Sequence, residues 1–228
     1  MNKLSFLYED SDVFVVYKPA GLHSVRLPNG GGLSLADLLL AHNPALAHAS
    51  RTPGDAGLVQ RLDLETSGAA LGAKNRPSWD ALFKALLSGE IKKQYVALVE
   101  GRIEDQREVS SYLGSPHRGA KKVKVYLSEP AASARALYGL TRIEPIAFNA
   151  ASNQTLVRVA ASPARRHQVR AHLAHLGYPL VGDTLYGASS TLNAQRKFFL
   201  HAETISFKHP VSDEQIMIRS EYDEVGVI

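Results

Sequence analysis

Short apolar runs closed off by turn residues outnumber helical patterns in this chain, and the two do not alternate. This constrains the fold more than any other feature, because a doubly wound parallel sheet needs strand and helix in strict succession. Residues 13–17 form a β-branched run that stops at Lys18-Pro19-Ala20-Gly21, the pattern of a buried strand entering a turn. Ser34-Leu35-Ala36-Asp37 has the spacing of a capping box and predicts a helix to about residue 41, with Leu35, Leu38 and Leu39 toward the core. Pro77 opens a second helix, in which Trp79, Leu82, Phe83 and Leu86 share a face and which Gly89 ends. Residues 69–73 and 94–99 read as strands, and Tyr95, Ala97 and Val99 share one face of the second. Further strands are expected near 134–142, 155–160, 198–207 and 215–220, and a third helix over about 166–176, stopped by Gly177 and Pro179. No period of 20–50 residues repeats, which excludes solenoids and propellers. The expectation is one α+β domain over residues 1–228, with a mixed, largely antiparallel sheet flanked by helices and loops.

Charge is distributed unevenly. The net charge is only +4, yet residues 117–124 hold four formal cations (Arg118, Lys121, Lys122, Lys124) and no acid. Residues 162–182 hold Arg165, Arg166, Arg170 and three histidines, again without an acid. Such segments fit either a polyanion-facing side or an ordinary solvated surface. The chain has no cysteine, which excludes disulfides, a zinc-thiolate centre and a cysteine nucleophile. No apolar run approaches the roughly 20 residues that span a bilayer, and the N-terminus lacks a signal-peptide pattern. A cytoplasmic chain with no membrane partner is expected.

Three segments could carry chemistry. Asp63 sits in the loop before strand 69–73, with Arg61 two residues earlier. If that piece is extended, the two side chains point the same way, and a guanidinium would keep the carboxylate ionised as a nucleophile or base. The plainer reading of Asp63 is a turn residue. Lys93-Gln94-Tyr95 begins a strand, where Tyr95 is either core or a platform for a nucleic-acid base. In the third helix Arg170 lies beside the stripe of Val169, Leu173 and Leu176, so it either snorkels to water or needs a buried anion such as Asp63. His167, His172 and His175 do not converge on one side, and no metal site is expected. Gly30-Gly31-Gly32 matches neither a dinucleotide fingerprint nor a P-loop.

Together these segments resemble the RluA-type family of RNA pseudouridine synthases. Tyr17-Lys18-Pro19-Ala20-Gly21-Leu22 is similar to the family's N-terminal motif, and Arg61-Leu62-Asp63-Leu64-Glu65-Thr66-Ser67-Gly68 to its catalytic loop. Lys93-Gln94-Tyr95-Val96-Ala97 resembles its tyrosine motif. Arg165 to Arg170, His172-Leu173 and Gly182-Asp183-Thr184-Leu185-Tyr186-Gly187 resemble its third, followed by Leu200-His201-Ala202 and Phe207-Lys208-His209-Pro210. Five weak matches in the family's order make a specific one. The resemblance implies the pseudouridine synthase fold, an isomerase of uridine in tRNA or rRNA, and no cofactor. It implies Asp63 as the catalytic carboxylate, Tyr95 as the ring against the uracil, Arg170 as the aspartate's basic partner, and Arg61 as the residue that fills the gap left by the extruded base. Arg165 would position backbone or loop. The chain departs from the pattern at Gln60, where the family has histidine, and at Ala164 and Arg166, where it has small residues. About a dozen residues precede Val13, so no separate N-terminal RNA-binding domain is expected, and a monomer is the default. RNA would then be gripped through Arg165, Arg166, Lys121, Lys122 and Lys124. The rival readings are a catalytically silent RNA-binding or RNA-folding protein on the same fold, and a hydrolase using Asp63 with a histidine.

Overall fold

The computed structural model describes residues 4–27, 30, 32–117, 119–131, 135–189 and 197–222. In chain order the strands and α-helices are β1 (Phe6–Glu9), β2 (Val13–Lys18), α1 (Leu35–His42), β3 (Ser67–Ala73), α2 (Arg76–Ser88), β4 (Lys92–Glu100), β5 (Arg107–Gly114), β6 (Lys124–Tyr126), β7 (Leu137–Asn149), β8 (Gln154–Ser162), α3 (Gln168–His175), β9 (Leu200–Lys208) and β10 (Gln215–Arg219). They divide into two units, one running to Ile91 and resuming over Ala202–Tyr222, the other over Lys92–His201.

In the first unit β2 pairs antiparallel with β1 and with β3, and β10 pairs antiparallel with β9. Val13 and Val15 from β2, Leu71 from β3, and Ile205 and Phe207 from β9 meet Trp79 and Leu82 of α2 in one buried cluster. Both helices start and stop where their sequence signals lie. Ser34 and Asp37 form the reciprocal capping box of α1. Asn75 caps α2 through the Ser78 amide, and Gly89 closes it in the left-handed conformation, at φ 78°. Gly68 is required by packing, because a Cβ there would run into the Ala202 backbone.

In the second unit the strand order is β4-β8-β7-β5-β6, and each of these neighbours pairs antiparallel. The expected α+β architecture with largely antiparallel pairing is therefore what folds. The sequence reading passed over β1, β5 and β6. In β5 only Val109, Ser111 and Leu113 turn inward, and the serine interrupts the apolar pattern. The strand expected from residue 134 begins at Leu137, and Ala134 lies outside the described residues.

Helix α3 starts two residues later than its pattern suggests. His167 adopts the left-handed conformation (φ 53°), and the Gln168 side chain accepts from the Arg165 amide (2.8 Å). The same side chain donates to the Leu140 carbonyl (2.8 Å) and to Thr141 Oγ1 (3.0 Å). Gly139 gives it room, since a Cβ there would collide with Gln168. The helix is buried around its first six residues instead of along a stripe, and Leu176 is only half-buried. That burial is possible because His172, fully buried, bridges Ser111 and Thr141 at 2.7 Å each. Burial pushes its pKa down to about 4, so it is neutral in the native state near pH 7.

Candidate active site

The loop that carries Asp63 is held from below by the first motif of the chain. Lys18 is fully buried at the end of β2, and its ammonium donates to the carbonyls of Pro19, Leu22 (2.7 Å) and Leu64 (3.1 Å). The Gly21 amide also donates to the Leu64 carbonyl (2.9 Å). Ser24 exchanges two hydrogen bonds with the Leu62 backbone, at 2.8 and 2.9 Å. The Asp63 carbonyl accepts from the Thr66 amide, which closes the turn into β3. Leu62 and Leu64 are thus pinned on either side of Asp63, which itself is half-buried. Gln60, at the position of the family's histidine, is buried and reaches the Ala69 carbonyl at 3.5 Å.

Arg61 does not lie along Asp63 as an extended piece would place it. Its guanidinium pairs with Asp55 Oδ1 at 2.9 Å and stays largely exposed. The carboxylate that meets it comes from a short helical turn at Pro53–Asp55, which carries no motif to reveal it.

Tyr95 and Arg170 belong to the second unit. Register puts Tyr95 opposite Val159 and Val159 opposite Ile143, on the side of the sheet that also presents Ser111 and Thr141. His172 bonds both of those hydroxyls, so α3 packs on that side. Tyr95 is buried there, and Lys93, two residues earlier on β4, shares its face.

Arg170 is buried, so of the two readings its sequence position left open, snorkelling to water is not the one it takes. Asp183 supplies the anion: Nε reaches Oδ2 at 2.7 Å and Nη2 reaches Oδ1 at 2.9 Å. Tyr186 and Phe198 present their rings to the guanidinium at 5.1 and 4.6 Å. In the sequence Asp183 lies within the Gly182–Gly187 motif, where nothing marks it as a counter-ion beyond its position after a Gly turn, 13 residues past Arg170.

The remaining basic residues fall into two groups. Arg165 donates to the Tyr138 carbonyl (3.0 Å), and Arg166 donates to the carbonyls of Ala120 (2.9 Å) and Lys121 (3.1 Å) and to Ser115 Oγ. Their guanidinium groups therefore tie the start of α3 to β7 and to the loop between β5 and β6. Lys121 and Lys122 on that loop and Lys124 at the start of β6 are exposed, with Lys122 over the Tyr186 ring and Lys124 over the Tyr126 ring. Arg118 lies outside the described residues.

One cluster could be read as a metal site. Asp10, Asp12 and His209 bring ligand atoms within 4.8 Å of one another. The chemistry does not fit a cation. His209 Nδ1 accepts from the Val211 and Ser212 amides, which leaves the ring proton on Nε2, 3.1 Å from Asp10 Oδ2. Asp10 in turn accepts from Tyr8 and from the amides of Asp12 and Val13. The cluster is a corner of the first unit in which Asp10 and His209 Nδ1 are hydrogen-bonded, while the buried Nε2 makes no hydrogen bond among the described residues.

A sequence model described as RNA pseudouridylate synthase matches residues 12–175. The chain is 30% identical over 222 residues to the RNA pseudouridine synthase YhcT of Bacillus subtilis, covering 97% of this chain and 69% of that one. It is 35% identical over 227 residues to the ribosomal large subunit pseudouridine synthase D of Xanthomonas campestris, covering 93% of this chain and 64% of that one. It therefore spans about two thirds of the length of these relatives. Its fold is similar to that of human RNA pseudouridylate synthase domain containing 1, with a TM-score of 0.70 at 22% identity over 96% of this chain and 84% of that one. With a pinned aspartate loop, a buried tyrosine strand and a paired arginine in the order of the motifs, the chain belongs to the RNA pseudouridylate synthases, a family of isomerases, in its RluA-type branch.

Proposed function

We propose that the protein converts specific uridines of ribosomal or transfer RNA into pseudouridine, with Asp63 as the catalytic carboxylate. The observation that carries this reading is the clamping of Leu62 and Leu64 by Ser24, Gly21 and Lys18. The chain holds still the one residue whose carboxylate the reaction needs, which is the pre-organisation that such chemistry demands. Ribosomal RNA of the large subunit is the favoured substrate, because relatives from Xanthomonas campestris and Haemophilus ducreyi carry that name.

In the proposed reaction the bond from ribose to uracil nitrogen breaks, the base turns, and a bond forms from ribose to uracil carbon 5. The carbon-5 proton then leaves to water, and the freed uracil nitrogen takes up a proton from water. No redox change occurs and no group donor is consumed. The target base must leave its stack, at a cost of a few kcal/mol. Arg61, exposed and paired with Asp55 at the surface, can exchange Asp55 for the vacated space. Tyr95 packs on the base, and Arg170, steadied by Asp183, is the basic residue of the reaction. The Asp63 carboxylate either attacks the sugar or accepts a proton from it. Lys121, Lys122 and Lys124 meet the phosphates.

The test is tritium release from RNA labelled at uridine carbon 5. Wild-type protein is expected to release tritium. Asp63→Asn is expected to release none while retaining the same RNA on a filter within about threefold, since phosphate contacts dominate affinity. Turnover by Asp63→Asn at the wild-type rate rejects the assignment. Release of free uracil in place of tritium identifies a hydrolase, and binding without either product identifies a silent RNA-binding protein.

A further inference from the structure

Lys93 is a cation that the proposed reaction leaves unused. It lies on β4, two residues before Tyr95 and on the same face, and is only 7% exposed. Among the described residues no carboxylate pairs with its ammonium. Burial alone depresses its pKa, from the ordinary 10.5 to about 7. A lysine can be buried cheaply if its ammonium is hydrogen-bonded or paired, and costs stability if it is neither. Lys93 is neither. The β4–β8 register carried one residue further puts Ala161 opposite Lys93, with Thr141 opposite Ala161; both are buried and neither carries a charge. A strongly perturbed titratable group beside a candidate site marks it as a candidate functional residue.

We propose that Lys93 is a substrate-binding residue that takes a phosphate of the RNA chain beside the nucleotide presented to Tyr95. The proposal rests on the reading of the protein as a pseudouridine synthase and adds a contact to it. The RNA phosphate supplies the counter-charge that the fold omits. Lys93 thus differs from Lys121, Lys122 and Lys124, which are solvated in the free protein and gain less from each phosphate they meet. It also differs from Arg170, whose buried charge is already matched by Asp183. Its contribution goes to binding and placement, while bond breaking stays with Asp63.

The experiment compares wild type, Lys93→Met and Lys93→Arg on total RNA labelled at uridine carbon 5 and taken from a strain in which this gene is deleted. KM and kcat are read from tritium release, affinity from filter binding across salt concentrations, and stability from Tm without RNA. Lys93→Met is expected to raise KM about tenfold or more with kcat changed less than about threefold, and to lower the salt slope of binding by about one. Its Tm is expected to rise, because an unmatched buried charge is gone. Lys93→Arg is expected to recover most of the affinity. A Lys93→Met protein with wild-type KM and salt slope overturns the proposal. So does one that fails to fold or melts lower, because Lys93 would then be a structural residue. If the wild-type protein releases no tritium, both this proposal and the underlying function fall. If wild type releases tritium and Lys93→Met matches it, only this proposal falls.

Discussion

Lys18 closes strand β2 and Lys93 opens strand β4, and the protein treats these two buried lysines in opposite ways. The ammonium of Lys18 is held by three backbone carbonyls, one of them Leu64 in the Asp63 loop. Among the described residues the ammonium of Lys93 has no such set, and burial depresses its pKa to about 7. Arg170 gives the intermediate case, a buried guanidinium matched by one carboxylate and two rings. The comparison separates roles that residue type and burial alone would merge. A buried cation with fixed acceptors holds the structure together. A buried cation without them is held ready for a ligand.

Substitutions can break this distinction. The largest expected effect on stability is at the matched pair. Asp183→Ala removes the carboxylate that both Nε and Nη2 of Arg170 reach, and should cost about 3–5 kcal/mol of unfolding free energy in a urea titration. Lys18→Met should cost about 2–4 kcal/mol, because it removes the ammonium from the Leu22 carbonyl and one of two donors from the Leu64 carbonyl, loosening the turn there. If either variant unfolds at the wild-type midpoint, the structural reading of that cation is wrong.

Two smaller effects depend on pH. His172 has an ordinary pKa of 6.5, depressed by burial and by His175 to about 4. Between those values the unfolded chain binds a proton that the native chain does not, so stability falls as pH falls through that window. His172→Gln should flatten the fall of Tm with pH over the same range. Lys93 works in the alkaline range. Between about pH 7 and 10.5 the unfolded chain holds the proton and the native chain has released it, so stability rises with pH across that interval. Below about pH 7 the penalty of the buried charge is present in full. The Tm gain of Lys93→Met should therefore be largest near pH 6 and shrink toward pH 10. A gain that is constant with pH would contradict an ionisable cause.

The elements best legible in the sequence were those with local punctuation. Ser34 with Asp37, and Asn75 to Gly89 around Trp79 and Leu82, marked α1 and α2 because capping chemistry acts within a few residues. Strand β5 was missed because its inward face carries Ser111, whose burial makes sense only with His172, 61 residues away. The start of α3 was misplaced because Gln168 bonds back to β7, a tertiary contact that overrides local propensity. Of the site, the residue types and the face shared by Tyr95 and Lys93 were written in the alternation of β4. The counter-ions were not: Asp55 for Arg61 and Asp183 for Arg170 come from segments that nothing local ties to their partners. Arg166, expected at phosphate, is occupied by the carbonyls of Ala120 and Lys121, an arrangement no charge pattern reveals.

The central claim is that Asp63 makes pseudouridine in RNA. It is tested most directly by mapping pseudouridines in the ribosomal and transfer RNA of a deletion strain complemented with wild type or with Asp63→Ala. The account predicts at least one uridine that stays unmodified in the deletion strain, is modified again by the wild-type protein, and is left untouched by Asp63→Ala. Restoration of the same modification by Asp63→Ala would contradict it.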